Sequence, residues 1–175
     1  MNISTNQITR RRALAGAAAG FALSVSRLRA IAQQPDMAQT PATSANQART
    51  SLHQEIEFSA TPDRIFHVLL DSKEFAAFTG MAATIDPSAG GAFNTFGGLI
   101  EGRNIEIIPS SRIVQAWRPT HWDPGVYSLV KFELKPKGSE TTIVLDHTGF
   151  PEGDFDSLSA GWKSHYWDPL TKFLT

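Results

Sequence analysis

From residue 51 the chain alternates. In LHQEIEF, Leu52, Ile56 and Phe58 fall on one side of an extended segment, and His53, Glu55 and Glu57 fall on the other. A period of two marks a half-buried β-strand. The pattern then changes. Thr61-Pro62-Asp63 supplies an N-cap, a proline at the first helical position and an acid in the first turn, and RIFHVLLD continues with helical spacing. Ser72 is placed to cap a second short helix running to Phe78, which Gly80 closes.

Beyond Gly80, short apolar stretches alternate with turn residues. MAATID, AFNTF, LIEGRNIEII, RIVQAWR, VYSLVKFELK and TTIVLDH are separated by PSAGG, GG, PSS, a loop and PKGSE. Such spacing predicts an antiparallel meander of about six strands joined by tight turns. Helical spacing returns at the end, in SAGWKSHYWDPLTKFLT. At about 100° per residue, Trp162, Tyr166, Trp167, Leu170, Phe173 and Leu174 span an arc of about 140°. Pro169 removes one backbone donor and predicts a kink after Asp168. The expected fold class is α+β, in the order β-α-α-β6-α, with a curved antiparallel sheet wrapped around a long C-terminal helix.

The N-terminal segment follows neither period. Thr9-Arg10-Arg11-Arg12 precedes ALAGAAAGFALSV, and Ala30-Ile31-Ala32 matches a small-x-small cleavage site. This is the layout of a bacterial signal peptide over residues 1–32, and the adjacent arginines resemble a twin-arginine signal, with Ala13 or Leu14 where that signal usually has Phe. The apolar run is too short to cross a bilayer that needs about 20 residues. The expectation is therefore periplasmic or secreted, with no stable membrane anchor after cleavage. Residues 33–50, rich in Gln, Ala, Thr and Pro, read as a flexible linker, and residues 51–175 as the folded domain.

Composition narrows the partners. Hydrophobic residues make up 41% of the chain and there is no cysteine, so no disulfide, thiolate site or cysteine nucleophile is available. Residues 1–32 carry five arginines and no acid. The remainder holds 11 of the 16 basic residues and all 17 acidic ones, a formal net charge of −6. Nucleic acid and anionic membranes are poor partners for that charge. The five histidines show no HxH or HExxH spacing, there is no GxSxG elbow, and the Gly-Gly pairs do not lead from a strand into a helix. The expectation is no metal, no cofactor and no catalytic residue.

Several motifs then resemble a known family. They are Gly90-Gly91-x-Phe93-x-x-Phe96-x-Gly98, Gly102, Arg112-Ile113-Val114-x-x-Trp117-Arg118, Trp122-x-x-Gly125, and Gly161-Trp162 leading into Tyr166-Trp167. Thr61-Pro62 and Thr148-Gly149-Phe150-Pro151 also fit. In order and spacing they resemble the SRPBCC superfamily, also called START-like or helix-grip domains, and most closely the C-terminal domain of the activator of Hsp90 ATPase. The resemblance implies a cavity between the sheet and the last helix, used among relatives by lipid carriers, hormone receptors and aromatic cyclases. It does not carry the ATPase-stimulating activity with it. The N-terminal domain central to that activity has no counterpart in the residues that match, and export would separate the chain from cytosolic Hsp90.

The candidate ligand-binding residues follow from periodicity within that fold. Trp162, Tyr166 and Phe173 come from the helix, Phe96, Trp117, Phe132 and His147 from the sheet, and Phe66 and Phe78 from one end. His147 shares the inward parity of Ile143 and Leu145, either as a hydrogen-bonded core residue or as a base, while Asp146 points the other way. The leading expectation is non-catalytic binding of a small hydrophobic or aromatic ligand. The alternatives are a cyclase- or isomerase-like enzyme with His147 as base, and a co-chaperone-like interaction module.

Overall fold

The computed structural model describes residues 49–175. The expected signal peptide (1–32) and nearly all of the expected linker lie outside the described residues. Arg49 and Thr50, expected at the end of that linker, are engaged. The Arg49 guanidinium lies 4.0 Å from the Phe155 ring centroid, and the Thr50 carbonyl accepts from the Gly149 amide at 2.8 Å.

The element order is β1 (Ser51–Phe58), α1 (Pro62–Leu70), α2 (Ser72–Thr79), β2 (Thr84–Ile85), β3 (Ala92–Thr95), β4 (Ile100–Ile108), β5 (Arg112–Pro119), β6 (Ser128–Lys137), β7 (Glu140–Thr148), α3 (Phe155–Gly161), a π-helical turn (Trp162–Trp167) and α4 (Asp168–Leu174). The strands form one antiparallel sheet in the order β1-β7-β6-β5-β4-β3-β2. The first strand therefore closes against the last. This is the expected α+β helix-grip arrangement, with one face of the sheet packed on the helices.

Local chemistry sets the boundaries. Thr61 caps α1 through its hydroxyl, which accepts from the Arg64 amide at 3.3 Å, and Pro62 begins the helix. The cap of α2 is one residue earlier than the expected Ser72. Asp71 accepts from the Lys73 and Glu74 amides, both at 2.9 Å, because a carboxylate answers the helix dipole better than a hydroxyl does. Ser72 is thereby free to accept from the Ile85 amide at 2.8 Å, which ties α2 to β2.

The meander departs from simple alternation in two places. Between Asn104 and Glu106 the β4–β5 register shifts, and the extra residue Ile105 is pushed into solvent. Asn104 is fully buried there; its amide nitrogen donates to the Asp86 carbonyl at 2.8 Å and its oxygen accepts from Gln115 at 3.0 Å. The β3–β4 connection is a single 3-10 turn, Phe96–Gly98, in which all three residues have positive φ. Glycine adopts this backbone freely; Phe96, at φ 54°, does so at a steric cost.

The C-terminal helix begins at Phe155, four residues before the expected Ser159, and Pro169 acts differently from the expected kink. The irregularity lies ahead of the proline. Through Trp162–Trp167 the turns widen, and the Asp168 amide bonds to Lys163, five residues back. A proline at 169 cannot donate to the turn before it, and its ring crowds the carbonyl four residues earlier; a widened turn relieves both. The wider turn also brings Trp162, Tyr166 and Trp167 onto the sheet together, and all three are buried.

Candidate functional site

The space between the sheet and the C-terminal helix is divided. Under α4 it is filled. Phe78 packs on Tyr166 and Phe173, and Phe132 packs edge-on against Trp162 and Trp167. A small void between α1, α2 and the sheet, bordered by Leu69, Phe75, Phe93, Phe132 and Tyr166, is about 10 Å3. That is at the lower limit for a single water.

Under α3 the space is open. A cavity of about 360 Å3 lies between the helix, the first residues of β4, the last residues of β5 and the loop that follows. Its inner wall is aromatic: Phe96, Trp117, Trp162 and Tyr166. Met81, Leu99, Ile100, Pro119 and Leu158 form aliphatic sides, and Thr120, His121, Ser157 and His165 form a polar rim. Gly161 completes the helix side. No lysine, arginine, aspartate or glutamate lines it.

Elements position this wall in a traceable way. Trp117 on β5 sits between Gly102 on β4 and Ser128 on β6. Gly102 leaves room for the Phe93 ring, because a Cβ there would lie 2.4 Å from that ring and 2.1 Å from the Ala116 carbonyl. The Trp117 ring stacks on Trp162 at 5.9 Å, and Trp162 meets Tyr166 at 4.3 Å and Trp167 at 5.4 Å. Phe96 lies 5.2 Å from Tyr166, so the strained turn is braced by the helix.

The candidate residues thus separate. Phe96, Trp117, Trp162 and Tyr166 come together at the cavity. Phe66, Phe78, Phe132, His147 and Phe173 do not line it. Phe66 and Phe173 are half-buried, and Phe78 and Phe132 are spent on packing. His147 is fully buried behind Trp162. Its Nδ1 accepts from the Trp162 indole at 3.0 Å, and its Nε2 donates to the Ser128 hydroxyl at 2.8 Å. Ser128 in turn donates to the Trp117 carbonyl at 3.0 Å. Burial holds the His147 pKa down at about 4. His147 therefore braces two cavity rings from behind.

Leu99, Ile100, His121, Leu158, Gly161 and His165 line the cavity without having been read as site residues. Most lie in loops or at element ends, where no period signals them. His165 lies three residues after Trp162, at the border of the helical stripe.

Two polar atoms of the aromatic wall stand out. The Trp117 Nε1–H is buried and has no aligned acceptor. It adjoins the Tyr166 hydroxyl, whose pKa burial raises and the indole pulls back. Among the described residues there is no group of three or more His, Asp or Glu side chains able to hold a metal, and no helix long and apolar enough to cross a membrane.

Comparison with known proteins places this geometry. The activator of 90 kDa heat shock protein ATPase homolog of Dictyostelium discoideum is 34% identical over 115 residues, which is 65% of this chain and 30% of that protein. The human homolog 1 is 25% identical over 113 residues, 65% of this chain and 33% of that protein. The chain thus spans about a third of the length of these relatives. Among solved structures, an HSP90 activator from Plasmodium falciparum superposes with a TM-score of 0.64 at 26% identity, covering 67% of this chain and 90% of that one. CalU16 from Micromonospora echinospora shares the fold, with a TM-score of 0.61 at 21% identity over 71% of this chain and 76% of that one. The family model for activator of Hsp90 ATPase homolog 1-like proteins matches residues 59–175, and the chain belongs to that family, within the SRPBCC superfamily of helix-grip folds.

Proposed function

We propose that this chain is an exported, non-catalytic binding domain that takes a small hydrophobic or aromatic molecule into the cavity beneath α3. The observation that carries this reading is the cavity itself. Its volume of about 360 Å3 falls within the range of small-molecule sites, and its wall is apolar and aromatic with a few polar groups at the rim and one polar pair inside. A side-chain-filled interior would have removed the reading. The enzyme alternative asked His147 to act as base, but both of its nitrogens are engaged and it does not line the cavity.

The test is native mass spectrometry of protein purified from its own source cells, with extraction of whatever co-purifies, alongside thermal-shift measurements across lipids and aromatic compounds. A bound molecule released on unfolding is expected. Repeated absence of any adduct, with no thermal shift across the set, overturns the proposal. Export is tested by the N-terminus of the protein in the source cell, expected at Gln33; an unprocessed Met1 overturns that part.

A second reading, an interaction module, is favoured by Leu99. It lies at the cavity lip, 58% exposed, near Met81 at 38%. The relatives named as activators of a heat shock protein ATPase make Hsp90 the partner to test. Export argues against that partner, and pull-down of purified Hsp90 decides it.

A further inference from the structure

The cavity wall carries more chemistry than hydrophobic binding needs. Tyr166 is only 6% exposed, lines the cavity, and its hydroxyl proton goes to no acceptor among the described residues. The Trp117 Nε1–H lies beside it, buried and without an aligned acceptor of its own. Both residues are held in place. Trp117 is fixed by the sheet and by its stack on Trp162, and Tyr166 by Phe75, Phe96 and Trp162. A buried polar group left without a partner costs free energy, and the stack on Trp162 leaves the Trp117 indole no room to turn toward solvent, while Tyr166 faces the cavity.

Resting on the binding role proposed above, we infer that Tyr166 is the specificity anchor of the cavity, and that the ligand is an uncharged, flat, ring-containing molecule whose inner end carries a carbonyl-type acceptor. The Tyr166 hydroxyl donates to that acceptor. The Trp117 N–H lies beside the phenol oxygen without being aligned on it, and the positive end of its dipole there favours the hydroxyl as a donor to the ligand. Burial disfavours the phenolate, so the hydroxyl stays a donor. The ligand is uncharged inside the cavity because no lysine, arginine, aspartate or glutamate lines it, and an unpaired charge there would be costly. It is flat because Phe96, Trp117 and Trp162 offer ring surfaces.

The test uses the full chain and three probes of one shape: fluorene, fluorenone, which adds only a carbonyl, and fluorene carboxylate, which adds a negative charge. Binding is followed by tryptophan fluorescence and by the indole N–H resonances of 15N-labelled protein, with that of Trp117 assigned by its loss in Trp117→Phe. Fluorenone is expected to bind roughly five- to tenfold more tightly than fluorene, the worth of one net hydrogen bond, and to move the Trp117 resonance further. Tyr166→Phe removes only the hydroxyl, so the variant should bind both neutral probes with fluorene's affinity. Equal binding of fluorene and fluorenone by the wild type, or a preference that survives Tyr166→Phe, overturns this inference and leaves the binding cavity standing. Tighter binding of the carboxylate than of fluorenone overturns the uncharged class. If none of the probes perturbs the cavity tryptophans, the binding role and this inference fall together.

Discussion

The indole of Trp162 donates to Nδ1 of His147 across 3.0 Å, and that bond decides which nitrogen of the imidazole carries the proton. With Nδ1 accepting, the hydrogen sits on Nε2 and points at Ser128. A second proton has no place, because Nδ1–H would face the indole N–H. The arrangement holds one cavity ring, Trp162, against one sheet strand, and it does so only while His147 is neutral.

Stability should therefore fall in mild acid. His147 has a folded pKa of about 4, held down by burial, against about 6.5 in the unfolded chain. Above pH 6.5 both states are neutral at this site and its contribution is complete. As the pH falls from 6.5 toward 4 the unfolded state takes up a proton that the folded state refuses. The cost over that window approaches about 3 kcal/mol. Urea unfolding at pH 7 and at pH 4.5 measures it. His147→Asn should be less stable at pH 7 and should lose most of the difference between the two pH values. An unchanged difference in the variant would move the effect to other groups.

His53 predicts the opposite sign. It lies on the outer face of the sheet, and its Nδ1 is 2.6 Å from Asp146, which also pairs with Lys131 at 2.9 Å. The Asp146 hydrogen bond is the main cause that raises the His53 pKa, and the bond to His53 leads those that lower the Asp146 pKa. A raised histidine contributes fully below the unfolded pKa and loses that contribution as the pH rises through its folded pKa. NMR titration of the His53 ring should give a midpoint above 6.5 in the wild type and a lower one in Asp146→Asn. The same midpoint in both would show that the pair is not formed in solution.

His53, Asp146 and His147 also show what could be read in advance. Strand alternation placed Asp146 outside and His147 inside, because a period of two depends on nothing but the pleat. The Thr61-Pro62 helix start and the order of elements along the chain were legible for a similar reason: local chemistry and short connections determine them. The cavity was only half legible. A wheel drawn at 100° per residue does not contain the π-helical turn, which brings Trp167 onto the sheet beside Trp162 and lets rings fill the space under α4. Phe132 and Phe78 therefore pack where a void was expected. The opening lies instead under α3, walled in part by Leu99, Ile100 and His121, whose positions depend on how loops return to the sheet.

Gly102 should tolerate no side chain. It carries no positive φ, so the restriction is one of space alone. A Cβ would meet the Ala116 carbonyl at 2.1 Å and the Phe93 ring at 2.4 Å. One of these is backbone and cannot yield without parting β4 from β5. Gly102→Ala is expected to lower stability by about 1–3 kcal/mol, as overpacking of a tight interior does, and chemical denaturation measures it. A loss below about 0.5 kcal/mol would mean that the sheet yields there at little cost.

Gly161 predicts a separation of stability from binding. It ends α3 with helical dihedral angles, φ −62° and ψ −44°, so a side chain there needs no backbone change. A Cβ at this position meets nothing within 4 Å, because Gly161 borders the open cavity. Replacing glycine inside a helix removes conformational freedom from the unfolded chain and is worth about 0.5–1 kcal/mol. Gly161→Leu should therefore raise the unfolding free energy by that amount or more, since the new side chain also lies beside the half-buried Leu158. The same side chain occupies the space a ligand would take. Fluorenone affinity should fall at least tenfold in this more stable variant, while Gly161→Ala should gain the stability and keep most of the binding. Undiminished fluorenone binding by Gly161→Leu would place the ligand somewhere other than the cavity beneath α3. A loss of stability in Gly161→Ala would show instead that the helix approaches the sheet more closely at this turn than the open space beside it allows.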